Sequence, residues 1–239
     1  TQNAANADAT IGDYYVEDRR FPPSPAFAAA ALTNDRSLYE EADADYEAFW
    51  ARQAREHVTW FRDFDTVLEW ELPYAKWFVE GTLNVSYNCL DRHVEAGRGD
   101  RIAFHWEGEP GDTRTITYAD LLDEVSRLSN ALKALGVARG DRVAIYMPMI
   151  PEIIVALLAC TRIGAAHSVI FGGFSPDSIT DRVNDAECVA VITADGGYRR
   201  GSAFALKPNV DEALERCTTV QHVVVVDRCG LDVSMTEGR

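Results

Sequence analysis

Four short runs rich in Val, Ile and Ala constrain this chain more than any other feature: Val143–Met147, Ala166–Phe171, Cys188–Thr193 and His222–Val226. None alternates regularly between apolar and polar residues. Each therefore asks for cover on both faces, as strands do in a parallel sheet flanked by helices. The intervals between them carry helical patterns. Pro151 opens one at a position where its missing N–H is harmless, and Ile153 to Cys160 is nearly all apolar, so that helix is expected to be buried. Ser175 as N-cap, with Pro176 behind it, starts a second over Ser175–Ala186, and Pro208–Arg216 reads as a third. Four strands alternating with three helices predict an α/β fold with a largely parallel, right-handed sheet flanked by helices.

Just before this alternation, Arg101–Trp106 and Thr113–Thr117 read as two strands around the turn Gly108–Asp112. Thr117 with Asp120 three residues on resembles a capping box. Leu121, Leu122, Val125, Leu128, Leu132 and Leu135 then share one helical face, and Gly136 closes the helix. Upstream the regularity is lost. The chain divides into a loosely ordered leader (1–36) poor in large aliphatics, an aromatic-rich N-terminal extension (37–98) and the α/β part (99–239). In the extension, Tyr46, Phe49 and Trp50 fall on one face of a helix. Val67–Val94 reads as an irregular piece whose Trp70, Tyr74, Trp77 and Phe78 need a surface. This helical and aromatic region is expected to wrap around the domain that follows.

With 23 Lys and Arg against 38 Asp and Glu the net charge is −15, which argues against nucleic acid or an anionic membrane as partner. An anionic ligand would have to be captured locally, by arginines and backbone N–H groups. The five cysteines, Cys89, Cys160, Cys188, Cys217 and Cys229, are odd in number and form no CxxC pair. That is the pattern of a reducing, cytoplasmic compartment rather than of a disulfide framework. The five histidines show no HxxxH or HExxH spacing, so no metal ligand is assigned. No apolar run approaches the ~18 residues of a membrane span, and the first residues lack the basic-then-apolar layout of a signal peptide. Nothing in the sequence bears on oligomeric state.

Chemistry concentrates between Ala166 and Gly201. Ligands of an open parallel sheet bind beyond the carboxyl ends of its strands. The doublet Gly172-Gly173 follows the second strand and Gly196-Gly197 the third, each read as a loop that lets a ligand approach the backbone. Phe174 and Ser175 open a helix whose N–H groups are expected to face the same crevice. Arg199 and Arg200 offer charge-assisted hydrogen bonds of the geometry a phosphate accepts. Every one of these features also has a plain structural reading: tight turns for the doublets, a solvated pair for the arginines, core positions for Phe171 and Phe174, and a hydrogen-bonded core residue for His167. The coincidence of two loops on one edge favours an anion site. There is no GxxxxGK[ST], GxGxxG or GxSxG pattern, and no catalytic residue is assigned.

The segment Tyr118–Ala186, with HSVIFGGFSP near its end, resembles the first part of the large domain of the adenylate-forming acyl-CoA synthetase superfamily. The aromatic passage FWARQAREHVTWF…SYNCLDRHV, the passage HSVIFGGFSP and the passage ITADGGYRRGSAFALKPNVDEAL narrow the resemblance to the AMP-forming acetyl-CoA synthetases, from about Leu38 onward. The resemblance implies an enzyme that converts acetate and Mg-ATP (ATP with Mg2+) to acetyl-adenylate and pyrophosphate, then passes the acetyl group to the thiol of coenzyme A with release of AMP. It matches Arg199 to an arginine that helps hold the 3′-phospho-ADP end of coenzyme A, with Arg200, Gly201 and Ser202 beside it. Many relatives carry a second arginine where this chain has Ser202, and whether Arg200 takes over that contact stays open. Phe171, Gly172 and Gly173 match backbone lining the adenine and pantetheine side of the same ligand.

Members of the family are much longer. Their phosphate loop, nucleotide pocket, acetate pocket, Mg-binding carboxylate and catalytic lysine are expected beyond Arg239, where the chain looks truncated inside the large domain. The chain alone is therefore expected to be inactive. A propionyl- or other short-chain acyl-CoA synthetase, or a non-catalytic module that binds CoA or a nucleotide, remains an alternative.

Overall fold

A computed structural model describes residues 20–236. The first part of the expected leader, 1–19, and the last three residues lie outside the described residues. The chain resolves into two compact units, Thr1–Trp50 and Ala51–Arg239.

In the first unit, helix α1 (Pro25–Ala30) starts at Ser24, whose side chain accepts the Phe27 N–H at 3.2 Å, with proline in the first turn. Helix α2 (Ser37–Ala44) follows the Asp35 carboxylate, which accepts the Ser37 N–H at 2.9 Å. Neither helix buries a residue. Helix α3 (Tyr46–His57) begins with the aromatic trio, but Tyr46 and Trp50 stay exposed and stack on each other edge to face; the buried positions are Ala51 and Ala54.

The second unit is built on the predicted sheet. Strands β5 (Arg142–Met147), β6 (Ala166–Phe171), β7 (Ala190–Ala194) and β10 (His222–Val226) are all parallel, in the order β10-β7-β5-β6. Val143 to Met147 and all of β7 are buried because helices cover both faces, which explains the unbroken apolar runs. Helices α4 (Tyr118–Ala134), α5 (Pro151–Ile163), α6 (Pro176–Asp185) and α7 (Lys207–Leu214) supply that cover. The local signals act as their chemistry dictates. Thr117 and Asp120 form the capping box of α4, and Gly136, with φ 88°, takes the left-handed position just past its end. Ser175 caps α6, with Pro176 behind it. Leu121, Val125 and Leu132 turn the α4 stripe into the core beside Ala156, Ala159 and Cys160 of α5. Among the described residues no helix is long and apolar enough to cross a membrane.

Two hairpins flank the sheet: β3 (Ile102–Glu107) with β4 (Thr113–Thr117), and β8 (Gly196–Arg199) with β9 (Ser202–Ala205), both antiparallel. The expected irregular piece Val67–Val94 is corrected. Its first half is a third antiparallel hairpin, β1 (Thr66–Glu71) with β2 (Tyr74–Val79), turning at Leu72-Pro73. The aromatics there divide: Phe78 packs with Trp60 and Phe64 in a small satellite core, whereas Trp70 (61% exposed) and Tyr74 (75%) lie open.

The second half of that piece docks on the sheet domain. Leu90, 1% exposed on a π-helical turn (Tyr87–Asp91), belongs to the main core. The Asn84 amide donates to the carbonyls of Thr161 and Arg162 at 3.2 and 3.0 Å, and Arg162 grips Asp91 with two bonds of 2.7 and 2.8 Å.

Candidate functional site

A cleft of about 880 Å³ opens beyond the carboxyl ends of β5 and β6, where an open parallel sheet places its ligands. Its floor is Met147-Pro148-Met149, which continues β5. One wall is Val169 to Gly173 at the end of β6, and the other is the β8–β9 hairpin. The β3–β4 turn, Trp106 to Glu109, together with Arg228 just past β10, completes the rim.

Six of the seven residues singled out from the sequence line this cleft: Phe171, Gly172, Gly173, Arg199, Arg200 and Ser202. The seventh, Gly201, stands at the hairpin tip between them. Phe171 is not a core residue; it is 66% exposed and meets Phe174 edge to face, while the Arg182 guanidinium lies 4.7 Å from the Phe174 ring centre. Ser175 and the residues of α6 are not among those that line the cleft.

The second doublet is not a loop. Gly196 and Gly197 begin β8, opposite Ala205 and Phe204, and the chain reverses through Arg200-Gly201 alone. Both turn residues have positive φ, 54° and 76°, the sign required in a two-residue turn of type I′. A Cβ on Gly196 would stand 2.5 Å from the Phe204 carbonyl oxygen, so close backbone approach, rather than a ligand, demands glycine there. The side chains of Arg199 and Arg200 are exposed, and neither has an acidic partner among the described residues.

Four further residues shape the site and went unrecognised in the sequence. Tyr146 is fully buried at the end of β5. Its hydroxyl donates toward the Phe174 carbonyl at 3.0 Å, with the Gly172 carbonyl at 3.3 Å, and accepts from the Asn209 amide at 3.3 Å. It thus ties the glycine wall to α7, the helix that follows the hairpin. Asp195 is a buried carboxylate at the foot of β8. Burial acts to raise its pKa, but N–H donors from Leu231, Arg228, Cys229 and Gly196 outweigh that and hold it below the usual carboxylate range. Arg228 forks onto Asp112 at 2.6 and 3.0 Å, and its guanidinium lies 4.9 Å from the Trp106 ring centre and 5.1 Å from that of Tyr198. Glu109 accepts the Gly201 N–H at 2.6 Å. Only Asp195, an aspartate between a strand and a glycine, carries a local hint of its role.

The sequence model described as AMP-binding enzyme matches residues 90–237. The chain belongs to the AMP-binding enzyme family. A second model, described as acetyl-coenzyme A synthetase N-terminus, matches residues 35–89. The acetyl-coenzyme A synthetase of Streptomyces coelicolor is 57% identical over 234 residues, covering 98% of this chain and 36% of the relative. That of Mycolicibacterium smegmatis is 57% identical over 221 residues, 92% of this chain and 23% of the relative. Among solved structures, the acetoacetyl-CoA synthetase of Streptomyces lividans superposes with a TM-score of 0.78 at 28% identity, over 89% of this chain and 33% of that one. The chain thus spans about a third of the length of the Streptomyces relative.

In this member of the AMP-binding enzyme family the described residues bring no three His, Cys, Asp or Glu side chains together as a metal site. Burial pushes the Cys160 thiol up to about 12 and the Cys188 thiol to about 11, so both are inert at neutral pH. His167, read as a hydrogen-bonded core residue, is half-buried with its Nδ1 unpartnered, and burial lowers its pKa. None of these groups faces the cleft. Apolar side chains line most of the cleft, and the guanidinium groups of Arg199 and Arg200 have no acidic partner among the described residues.

Proposed function

We propose that this cleft is one wall of a coenzyme A site, and that the protein carrying this sequence is an AMP-forming acetate–CoA ligase. Acetate and Mg-ATP would give acetyl-adenylate and pyrophosphate. The coenzyme A thiolate would then attack the acetyl carbonyl, forming the thioester as the bond to AMP breaks. The observation that carries the reading is the convergence of Phe171, Gly172, Gly173, Arg199, Arg200 and Ser202 on one cleft, with both guanidinium groups unpaired in an acidic chain. Identity with the acetyl-coenzyme A synthetases of Streptomyces and Mycolicibacterium supports the acyl group assigned. Five free cysteines agree with a cytoplasmic setting. The flat apolar trough suits pantetheine and adenine, and Arg199 suits the 3′-phosphate. Neither nucleic acid nor a membrane is proposed as a partner.

Calorimetric titration with coenzyme A tests the site. Arg199→Ala should weaken binding about tenfold or more, the scale of one charge-assisted contact. Because Arg199 is exposed and unpaired, the thermal midpoint should stay unchanged. Undiminished affinity would remove the basis of the assignment. The 239-residue chain by itself should show no acetate-dependent exchange of pyrophosphate into ATP.

A further inference from the structure

The tip of the basic hairpin is already engaged by an acid. Gly201 N–H donates to Glu109 Oε1 at 2.6 Å, and the acceptor comes from 92 residues away in sequence, on the opposite rim of the cleft. Glu109 and Gly201 are both exposed, so packing does not force the contact. Nor does Glu109 pair with either neighbouring arginine. It takes a backbone N–H instead, next in the chain to Arg200 of the turn and two residues on from Arg199 at the end of β8.

A phosphate oxygen bound at Arg199 and Arg200 would seek that same N–H, because oxyanions take backbone donors wherever a turn presents them. One N–H does not serve a carboxylate and a phosphate at full strength, and like charges a few ångströms apart repel even through water. Resting on the coenzyme A reading above, we propose that Glu109 is a specificity-determining residue that exchanges with the ligand's terminal phosphate. Its carboxylate holds the Gly201 N–H when the cleft is free of ligand and yields it to the 3′-phosphate. The preference for coenzyme A over its 3′-dephospho form is therefore set partly by the cost of displacing Glu109.

The sign of this effect separates it from a structural role. Removing a supporting contact at the hairpin tip would weaken every ligand of the cleft. Removing a competitor strengthens only the ligand that competes.

The test is calorimetric titration of the full-length protein carrying this sequence, wild type, E109Q and E109A, with coenzyme A and with 3′-dephospho-coenzyme A, and R199A as control. E109Q keeps an acceptor for the Gly201 N–H and removes the charge. Both Glu109 variants should tighten coenzyme A about three- to tenfold while leaving the dephospho form within about twofold. Coenzyme A binding that is unchanged or weaker in E109Q, or an equal shift for both ligands, overturns the exchange, and Arg199-dependent binding would leave the coenzyme A reading standing. A wild type that binds both ligands alike, with R199A without effect, overturns the coenzyme A reading and this inference with it.

Discussion

Asp195 anchors the hairpin that carries both arginines, and Asp195→Asn tests how much depends on it. The side chain is 2% exposed. Oδ1 accepts from Gly196 at 2.7 Å and Arg228 at 2.8 Å, and Oδ2 from Leu231 at 2.8 Å. The Cys229 N–H is shared between them at 3.1 and 3.0 Å. Asparagine preserves the shape, but its NH2 must replace one oxygen. The milder orientation places it at Oδ2, where it confronts the Leu231 N–H with a second donor. The bonds to Gly196 and Arg228 survive without charge assistance, each losing about 1 kcal/mol, and a stranded buried donor costs about 1–3 kcal/mol more. Together these amount to about 3–5 kcal/mol, a large share of the ~5–15 kcal/mol that stabilises a domain.

Urea denaturation across pH reads this directly. The Asp195 pKa lies below its ordinary value of 3.8, so its stabilisation is complete above that value and is lost as the pH falls through the lower folded pKa. The gap between wild type and Asp195→Asn should therefore stay constant from neutral pH down to about 4 and narrow only below that. Coenzyme A affinity of the variant should fall as well, because the foot of β8 is freed. A gap under about 1 kcal/mol at neutral pH, or one that narrows well above 3.8, would refute the reasoning.

Tyr146→Phe removes the hydroxyl shared by Phe174 and Asn209 and should cost about 1–3 kcal/mol in denaturant unfolding. Coenzyme A should bind several-fold more weakly, and Asn209→Ala added to it should do little more, since both variants break one linkage. Arg228→Lys keeps the charge but loses the fork onto Asp112 and the flat contact with Trp106 and Tyr198. A double-mutant cycle with Asp112→Asn should give a favourable but small coupling, small because Asp112 is partly open to solvent. A coupling near zero would mean that the two rims are fixed by other contacts.

What could be foreseen followed the range over which each signal acts. Strands β6 and β10 begin and end where the apolar runs do, and the Thr117–Asp120 box and Gly136 bound α4 as their chemistry requires. Such elements are decided within a few residues. The β8–β9 hairpin was hidden because its strands are four residues long and open on a glycine doublet, which reads as a break. Its turn is Arg200-Gly201, not the Asn-Gly that announces a type I′ turn. The β1–β2 hairpin was masked in the same way by Pro73, which falls between two aromatic stretches. Tyr146, Asp195 and Arg228 act across 26 to 116 residues, through neighbours that only the completed sheet supplies.

The two site arginines combine both kinds of legibility. Their identity is plain in the sequence, and what makes them useful is not. In a chain with 38 acids and 23 bases, an exposed guanidinium readily finds a carboxylate, as Arg55, Arg62 and Arg216 do. Arg199 and Arg200 find none among the described residues: Arg199 ends β8, Arg200 opens the two-residue turn, and Glu109, which reaches that turn, is spent on the Gly201 N–H. The scaffold supplies the order: Asp195 holds the foot of the ribbon, Gly196 lets it fold tightly onto Phe204, and Arg228 braces it through Tyr198. Fixing the backbone this way leaves only side-chain freedom to be lost when an anion arrives, which favours binding. Substitution at Arg199 should therefore change affinity without changing stability, whereas substitution at Asp195 should change both. That contrast separates a residue that touches the ligand from one that holds it in place.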